Sequence, residues 1–232
     1  MIYEKNITEI KWRSSCRSRK KRIDEATVIA VAKQIRAVAE EGTQIGIVIG
    51  GGNFWRGRTS ETINRNKADQ IGMLATVMNC IYVSDICRYL GLKTEIFTPF
   101  VCGAFTKLYS KDAVEEAFAE GKILFFAGGT GHPYFSTDTA TVLRAVEIEA
   151  EAILLAKAVD GIYDSDPKLN PNAVKYDKLF FMDVLNQDLK VMDSTAASLC
   201  KDNDIALLVF NIDKPENIVK AICGESVGTL VE

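Results

Sequence analysis

The amino-acid sequence predicts an α/β fold with a mainly parallel central sheet. Short, almost wholly apolar runs alternate with longer segments whose apolar residues recur at helical spacing. Wholly apolar runs are typical of strands buried on both faces, as the strands of parallel sheets are. Neither a linker nor an internal repeat interrupts the pattern, so we expect residues 23–232 to form one domain.

Composition narrows the functional class. Of the 232 residues, 47% are hydrophobic and 25% are charged, and the formal net charge is −3. An acidic chain argues against a nucleic-acid scaffold, and no apolar run reaches the ~20 residues of a membrane span. Without a visible signal peptide, we expect a cytoplasmic protein that binds neither nucleic acid nor membrane. The six cysteines lack C-x-x-C spacing, which favours reduced core thiols over disulfides or zinc ligands.

Helices and strands alternate along the chain. The predicted strands are Ile45–Ile49, Thr94–Thr98, Lys122–Phe126, Ala152–Ala156, Ile205–Phe210 and a short one near Thr229–Val231. The predicted helices are one capped by Asp24 and ended by Gly42, Lys67–Leu90, Ser110–Glu120, one beginning near Asp138, one after Asp193 and one opened by Pro215. On the helix Lys67–Leu90, we expect the core face to consist of Ile71, Leu74, Ala75, Met78, Ile81 and either Val83 or Ile86.

Two glycine-rich turns follow predicted strands. G-G-G-N-F-W-R-G covers residues 50–57, and A-G-G-T-G-H-P-Y-F-S-T-D-T-A-T covers residues 127–141. Glycines allow backbone amides to approach a ligand, and a helix N-terminus favours an anion. Since ligands bind beyond the carboxyl ends of parallel strands, we expect both turns to hold phosphate groups there. The simplest interpretation of Asp69 is a dipole contact in the first turn of its helix.

Acid–base groups are scarce in this pattern. There is no G-x-x-x-x-G-K-[ST] and no G-x-G-x-x-G, which argues against a Walker-type kinase and a dinucleotide-binding fold. His132 is the only histidine, and no nucleophile and base accompany it. Phosphoryl transfer to a phosphate acceptor needs little proton chemistry, because the acceptor is already an anion at neutral pH.

Five segments carry a resemblance to a known family. They are I-V-I-G-G-G-N-F-W-R-G (47–57), A-D-Q-I-G-M-L-A-T-V-M-N (68–79), G-T-G-H-P-Y-F-S-T-D-T-A (129–140), V-D-G-I-Y-D-S-D-P (159–167) and L-K-V-M-D (189–193). From Ile23 onward the chain resembles bacterial UMP kinases of the amino-acid-kinase superfamily. The resemblance implies a three-layer sandwich that phosphorylates UMP to UDP with ATP and Mg²⁺ in pyrimidine nucleotide biosynthesis. It also implies a homohexamer, activation by GTP and inhibition by UTP.

The resemblance also implies roles for individual residues. The catalytic residues would be Arg56, Asp138 and Asp193, with Gly51, Gly52 and Arg56 holding phosphates between donor and acceptor. Asp69 would accept hydrogen bonds from the ribose hydroxyls of UMP. One loop would wrap the uracil and the α-phosphate, with the residues Thr130, Gly131, His132, Pro133, Tyr134, Phe135, Ser136 and Thr137. The base and ribose of ATP would contact Lys157, Tyr163 and Asp166. His132 stands where these enzymes usually have asparagine.

Residues 1–22 depart from the resemblance. They are rich in basic residues, show no strand or helix period, and lack the first strand and the Lys-Leu-Ser-Gly phosphate loop of these kinases. We predict an aberrant segment in which residues 3 to about 21 are a frame-shifted reading. Codons allowed for Tyr3–Arg19, read one base later, encode Met-Lys-Arg-Ile-Leu-Leu-Lys-Leu-Ser-Gly-Glu-Ala. Trp12 has a single codon, and its shifted partner is the required glycine. If the written frame is real, we expect a sheet without its central strand.

Two alternatives to a UMP kinase remain open. A chain without the lysine loop could be a catalytically impaired, nucleotide-binding hexamer. A related kinase could instead act on a carboxylate or carbamate, although Asp69 and the turn at residues 129–137 argue against it. UDP formation from UMP and ATP separates a UMP kinase from a binding-only protein, and a substrate panel in which UMP is inert would favour the carboxylate or carbamate kinase.

Overall fold

The computed structural model describes residues 5–10, 24–55, 62–189 and 191–232, with the backbone alone for residues 5–10. The strands in these ranges are β1 (Lys5–Ile10), β2 (Gln44–Ile49), β3 (Thr94–Thr98), β4 (Lys107–Leu108), β5 (Ile123–Phe126), β6 (Ala152–Lys157), β7 (Ile162–Tyr163), β8 (Lys175–Tyr176), β9 (Lys178–Leu179), β10 (Ala206–Asn211) and β11 (Gly228–Val231). The helices are α1 (Glu25–Glu40), α2 (Arg65–Tyr89), α3 (Lys111–Ala119), α4 (Thr137–Glu147), α5 (Phe181–Asn186), α6 (Ser194–Asp202) and α7 (Asn217–Ile222).

Nine strands form one sheet in the order β4-β3-β5-β2-β1-β6-β10-β11-β9. Every neighbouring pair is parallel except β10 and β11. The strands β7 and β8 form a separate antiparallel pair. The prediction of a mainly parallel sheet is therefore confirmed.

The sheet lies between two layers of helices. Helices α1, α2 and α7 pack on one face, and α3 to α6 pack on the other. Strand β6 shows the alternation, since Ile153 and Leu155 join one core while Leu154 and Ala156 join the other. Both faces are covered, which explains the wholly apolar strand sequences and confirms the three-layer arrangement.

Side chains cap the N-termini of three helices, and the predicted cap at Asp24 is confirmed. Asp24 Oδ2 accepts hydrogen bonds from Thr27 N at 2.9 Å and from Thr27 Oγ1 at 2.6 Å, so it caps α1. Ser110 caps α3 and Asp193 caps α6 in the same way. These local signals could be identified without tertiary information because a cap bonds within its own first turn.

The predicted core face of α2 is partly wrong. Leu74, Met78 and Ile81 are 51%, 48% and 39% exposed. The buried residues are mostly small ones: Ala68, Ala75, Thr76, Val77, Asn79, Cys80, Val83, Ser84 and Cys87. A Cβ atom on Gly51 would lie 2.6 Å from the carbonyl oxygen of Gly72, so the turn after β2 touches the helix backbone. Such close packing requires small side chains on α2, and the larger apolar ones face outward.

Helix α2 is long and apolar enough to cross a membrane by length and composition, alone among the described helices. It packs on β2, β3, β5 and α1 along its inner face. A helix that packs in the core of a folded protein can meet the same criterion of length and composition. The apolar side chains on the outer face of α2 lie at the surface of the folded chain.

The expectation of a sheet without its central strand is wrong. Residues 5–10 form β1, which pairs in parallel with β2 on one side and β6 on the other. Ile7 lies opposite Gly46 and Ile153 in the two ladders. Parallel ladders are made by backbone N–H and C=O groups, so an extended segment can fill the position whatever its side chains. Without β1, the facing edges of β2 and β6 would be unpaired.

Three cysteines lie in the core as free thiols. Cys80, Cys87 and Cys200 are buried. Burial raises the pKa of each thiol to about 12, because a thiolate there would lose its hydration. The prediction of reduced core thiols holds for these three residues.

Although the written segment forms β1, we propose that residues 3 to about 21 are a frame-shifted reading of the natural sequence. Four of the six residues of Lys5–Ile10 are polar or charged, whereas its partner strands β2 and β6 are predominantly apolar. A strand paired on both sides in a parallel sheet is normally apolar. We expect the gene to read through to Ser-Gly-Glu-Ala in the shifted frame at the codons for Lys11–Arg19. The intact mass of the natural protein should match that reading. DNA that does not give this sequence would rule out the proposal.

Candidate active site

The carboxyl ends of β2, β5 and β6 open into one cavity of about 770 Å³. The two glycine-rich turns line it, and α2 supplies a further wall. Ligands of open parallel sheets bind at this edge, so the cavity lies where the sequence predicted phosphate binding.

The first turn is held on α2 by an amide side chain. Asn79 Nδ2 donates to the carbonyl oxygen of Gly50 at 2.8 Å and to Asn53 Oδ1 at 2.7 Å. Asn53 Nδ2 donates back to Asn79 Oδ1 at 3.2 Å. Because Asn79 is buried, these bonds satisfy its polar atoms and hold the turn in place.

The second turn is held by a hydroxyl of the same helix. The N–H of Gly128 donates to Thr76 Oγ1 at 2.7 Å, and that hydroxyl donates to the carbonyl of Met73 at 2.6 Å. Gly128 has φ 83°, and a Cβ there would lie 2.8 Å from the ring of Phe100. Glycine is therefore required on both conformational and steric grounds. Both glycine-rich turns are therefore hydrogen-bonded to side chains of α2.

The Asp193 carboxylate joins two helix N-termini. It accepts from Ala196 N at 3.0 Å and so caps α6. It also accepts from Thr139 Oγ1 at 3.1 Å and from the hydroxyl of Ser136. Ser136 itself caps α4, since its Oγ accepts from Thr139 N at 3.2 Å. The positive ends of both helices thus meet at the cavity, an arrangement that favours bound phosphate.

Asp69 is engaged by two partners at the cavity wall. Arg65 Nε donates to its Oδ1 at 2.9 Å and to its Oδ2 at 2.8 Å. The backbone N–H of Tyr134 donates to Oδ2 at 2.8 Å. Asp69 is the fifth residue of α2 and lies beyond the first turn, so its interpretation as a dipole contact there is wrong.

A second cavity, of about 510 Å³, adjoins the first. Tyr163 and Asp166 line it, and Asp166 shapes the loop because its Oδ1 accepts from Lys168 N at 2.9 Å. The hydroxyl of Tyr163 donates to Asp160 Oδ1 at 2.8 Å, and this hydrogen bond raises the pKa of the Tyr163 phenol. The residues that line both cavities are Lys157, Asp188, Leu189 and Val191.

Most of the sequence-predicted site residues therefore converge. Those lining the first cavity are Gly51, Gly52, Asp69, Thr130, His132, Phe135, Ser136, Thr137, Asp138, Lys157 and Asp193. Gly131, Pro133 and Tyr134 belong to the same loop without lining that cavity. Gly52, expected to hold phosphates between donor and acceptor, lines the first cavity but not the second. Arg56 lies outside the described residues, so its role remains a prediction.

A family model described as the amino acid kinase family matches residues 14–211. The chain belongs to the amino acid kinase family. The match includes both glycine-rich turns, β6 and the capping residue of α6.

Three solved structures similar to this amino acid kinase family member are compared with it by sequence identity and TM-score. The UMP kinase from Bacillus anthracis is 32% identical, with a TM-score of 0.95 over 100% of this chain and 97% of that one. The UMP kinase from Ureaplasma parvum is 37% identical, with a TM-score of 0.92 over 100% of both chains. The uridylate kinase from Archaeoglobus fulgidus is 26% identical, with a TM-score of 0.74 over 98% of this chain and 99% of that one.

Sequence reasoning missed three residues that organise the site. Arg65, Thr76 and Asn79 all lie on α2. Thr76 and Asn79 hold the two glycine-rich turns, and Arg65 pairs with Asp69. The available signal was polarity, since Thr76 and Asn79 are spaced by three on an otherwise apolar stretch. That spacing indicates a shared helix face without indicating which loops it contacts.

Replacing Asp193 by alanine should destabilise the fold more than loss of an ordinary cap. The variant removes a cap and leaves the hydroxyls of Ser136 and Thr139 without their acceptor, a loss of about 3 kcal/mol. Asp24→Ala is the matched control, because Asp24 caps α1 from an exposed position and bonds only within its own turn. Urea unfolding measures both variants. Equal losses would show that Asp193 acts as a cap alone.

Proposed function

We propose that this amino acid kinase family member transfers the γ-phosphoryl group of ATP to UMP, giving UDP and ADP. The observation that carries the proposal is the pair of adjoining cavities, which share Lys157, Asp188, Leu189 and Val191. Two neighbouring sites with a common wall suit a donor and an acceptor that exchange a group between them. The UMP kinases from Bacillus anthracis and Ureaplasma parvum, at 32% and 37% identity, support the choice of acceptor.

The chemical step needs little from protein acids or bases. A phosphate oxygen of UMP attacks the γ-phosphorus of ATP, and the bond from that phosphorus to the β–γ bridging oxygen breaks. ADP leaves with the electron pair of that bond. The attacking phosphate has a second pKa of ~6, so it needs no general base at neutral pH. Catalysis then depends on alignment and on charge stabilisation.

The residues divide between the two cavities accordingly. Asp69 and residues 130–137 would hold UMP in the first cavity, while Tyr163 and Asp166 would hold the base and ribose of ATP in the second. The joined N-termini of α4 and α6 would meet the transferring phosphoryl group with backbone N–H groups. Asp193 would act as a positioning residue, because its carboxylate oxygens already accept from protein donors. Arg56 would add a cation between the two nucleotides.

We propose that Mg²⁺ enters with ATP. Among the described residues, no group of three histidine, cysteine, aspartate or glutamate side chains could hold a metal alone. Mg²⁺ is commonly held by substrate phosphates with one or two carboxylates, and the cavities offer Asp138 and Asp188 for this purpose. The bound ion would neutralise charge that develops on the phosphates.

The neighbours named UMP kinases do not favour the non-catalytic alternative. Activation by GTP, inhibition by UTP, a place in pyrimidine biosynthesis and a cytoplasmic location follow from the resemblance alone. They remain part of the proposal.

An assay with the purified chain, ATP, Mg²⁺ and a panel of acceptors tests the function. We expect UDP and ADP to form in equal amounts with UMP as the preferred acceptor, and CMP, carbamate and acetate to react more slowly. Formation of UDP excludes a binding-only protein. If UMP is inert while a carboxylate or carbamate reacts, the assignment is wrong.

We also propose that the chain forms a homo-oligomer through the outer face of α2. Leu74, Met78, Ile81, Tyr82 and Tyr89 are exposed at helical spacing along it. A second set of exposed apolar residues follows β3 along the chain: Val101, Phe105 and Leu108. A hexamer with dihedral symmetry needs two different interfaces, so two sets of exposed apolar residues support the homohexamer implied by the resemblance.

Met78→Glu should reduce the oligomer to a smaller species, because it places a charge in the middle of the proposed α2 contact. Val174→Glu is the matched control, since Val174 is also exposed but lies in the loop before β8. Light scattering after size-exclusion chromatography gives the mass of each. If Met78→Glu keeps the wild-type mass, α2 is not the interface.

A further inference from the structure

The Asp69 carboxylate has little capacity left for a ligand. It accepts two bonds from Arg65 Nε and one from the N–H of Tyr134, and its side chain is only 14% exposed. An ionised carboxylate offers about four lone-pair sites. Two ribose hydroxyls therefore cannot both bind there while Arg65 and Tyr134 keep their bonds.

Tyr134 is held in an unfavourable backbone conformation by the same two side chains. Its φ is 73°, in the left-handed region that non-glycine residues seldom adopt. Asp69 accepts from its N–H, and the Arg65 guanidinium carbon lies 5.1 Å from its ring centroid. Strained residues of this kind persist where neighbours restrain them, and they cluster at ligand-binding sites.

Arg65 lies where a released guanidinium would meet an acceptor. It lines the same cavity as Ser136 and Thr137, which begin α4, and its side chain is 34% exposed. A guanidinium has five N–H donors in a planar fork, which matches the oxygens of a phosphate. Only Nε is engaged with Asp69.

We propose that Arg65 binds the phosphate of the acceptor nucleotide and that the ribose hydroxyls release it from Asp69. The hydroxyls take over the carboxylate oxygens that Nε occupies in this structure. The freed guanidinium then turns its fork to the phosphate. This inference rests on the proposed function, because it takes a ribonucleoside monophosphate as the occupant of the first cavity.

The proposal couples two parts of one ligand. Binding of the phosphate by Arg65 requires the ribose hydroxyls, and loss of Arg65 frees Asp69 for those hydroxyls. Three probes separate the contributions: UMP, uridine without the phosphate, and 2′,3′-dideoxy-UMP without the hydroxyls. Their dissociation constants, measured directly or by competition, report the coupling without reference to turnover.

For Arg65→Ala, we expect UMP affinity to fall about tenfold or more, as loss of a charged hydrogen-bond partner implies. The affinity for uridine should stay within about twofold or improve, and that for 2′,3′-dideoxy-UMP should change little. Arg65→Lys should restore part of the UMP affinity because it keeps the charge without the fork. Lys67→Ala is the matched control, since Lys67 lies on the same helical turn outside the cavity.

Asp69→Asn supplies an independent test in the opposite direction. It removes the charge that holds Arg65, so the affinity for 2′,3′-dideoxy-UMP should rise while that for uridine falls. If Arg65→Ala weakens UMP and uridine equally, Arg65 only supports the loop and the proposal fails. If the wild-type chain binds no UMP at all, the proposed function fails instead.

Discussion

The site depends most on the carboxylate of Asp193. By capping α6 and accepting from Thr139 and Ser136, it holds the N-termini of α4 and α6 together at the edge of the sheet. Two helix dipoles directed at one point would repel each other without a negative charge between them. Asp193 supplies that charge within the protein, and the remaining backbone N–H groups can then serve an anionic ligand.

Helix α2 provides the opposite wall by close packing. Gly51 approaches Gly72 so closely that a methyl group would not fit between them. Thr76 and Asn79 hold the two glycine-rich turns by hydrogen bonds from α2. Small inward side chains make this approach possible. The larger apolar side chains of α2 are left on its outer face, so the packing that builds the site also leaves a surface suited to self-association.

Local patterns predicted the fold well because they have local causes. Apolar runs marked β2, β5, β6 and β10, and Asp24 caps the helix that it was predicted to cap. The helices predicted to begin at Ser110 and after Asp193 are α3 and α6. The orientation of α2 was missed because both of its faces carry apolar residues. The two-residue strands were missed because only their pairing defines them, and the role of Arg65 depends on a loop that lies 69 positions along the chain at Tyr134.

We propose that the two cavities, which share a wall, hold the phosphate donor and the acceptor in line for transfer. The affinity of uridine and adenosine joined 5′ to 5′ by five phosphates tests it most directly. If both cavities bind the linked compound together, its dissociation constant should lie about 100-fold or more below that of UMP or ATP alone. An affinity no better than that of the tighter single nucleotide would contradict the account.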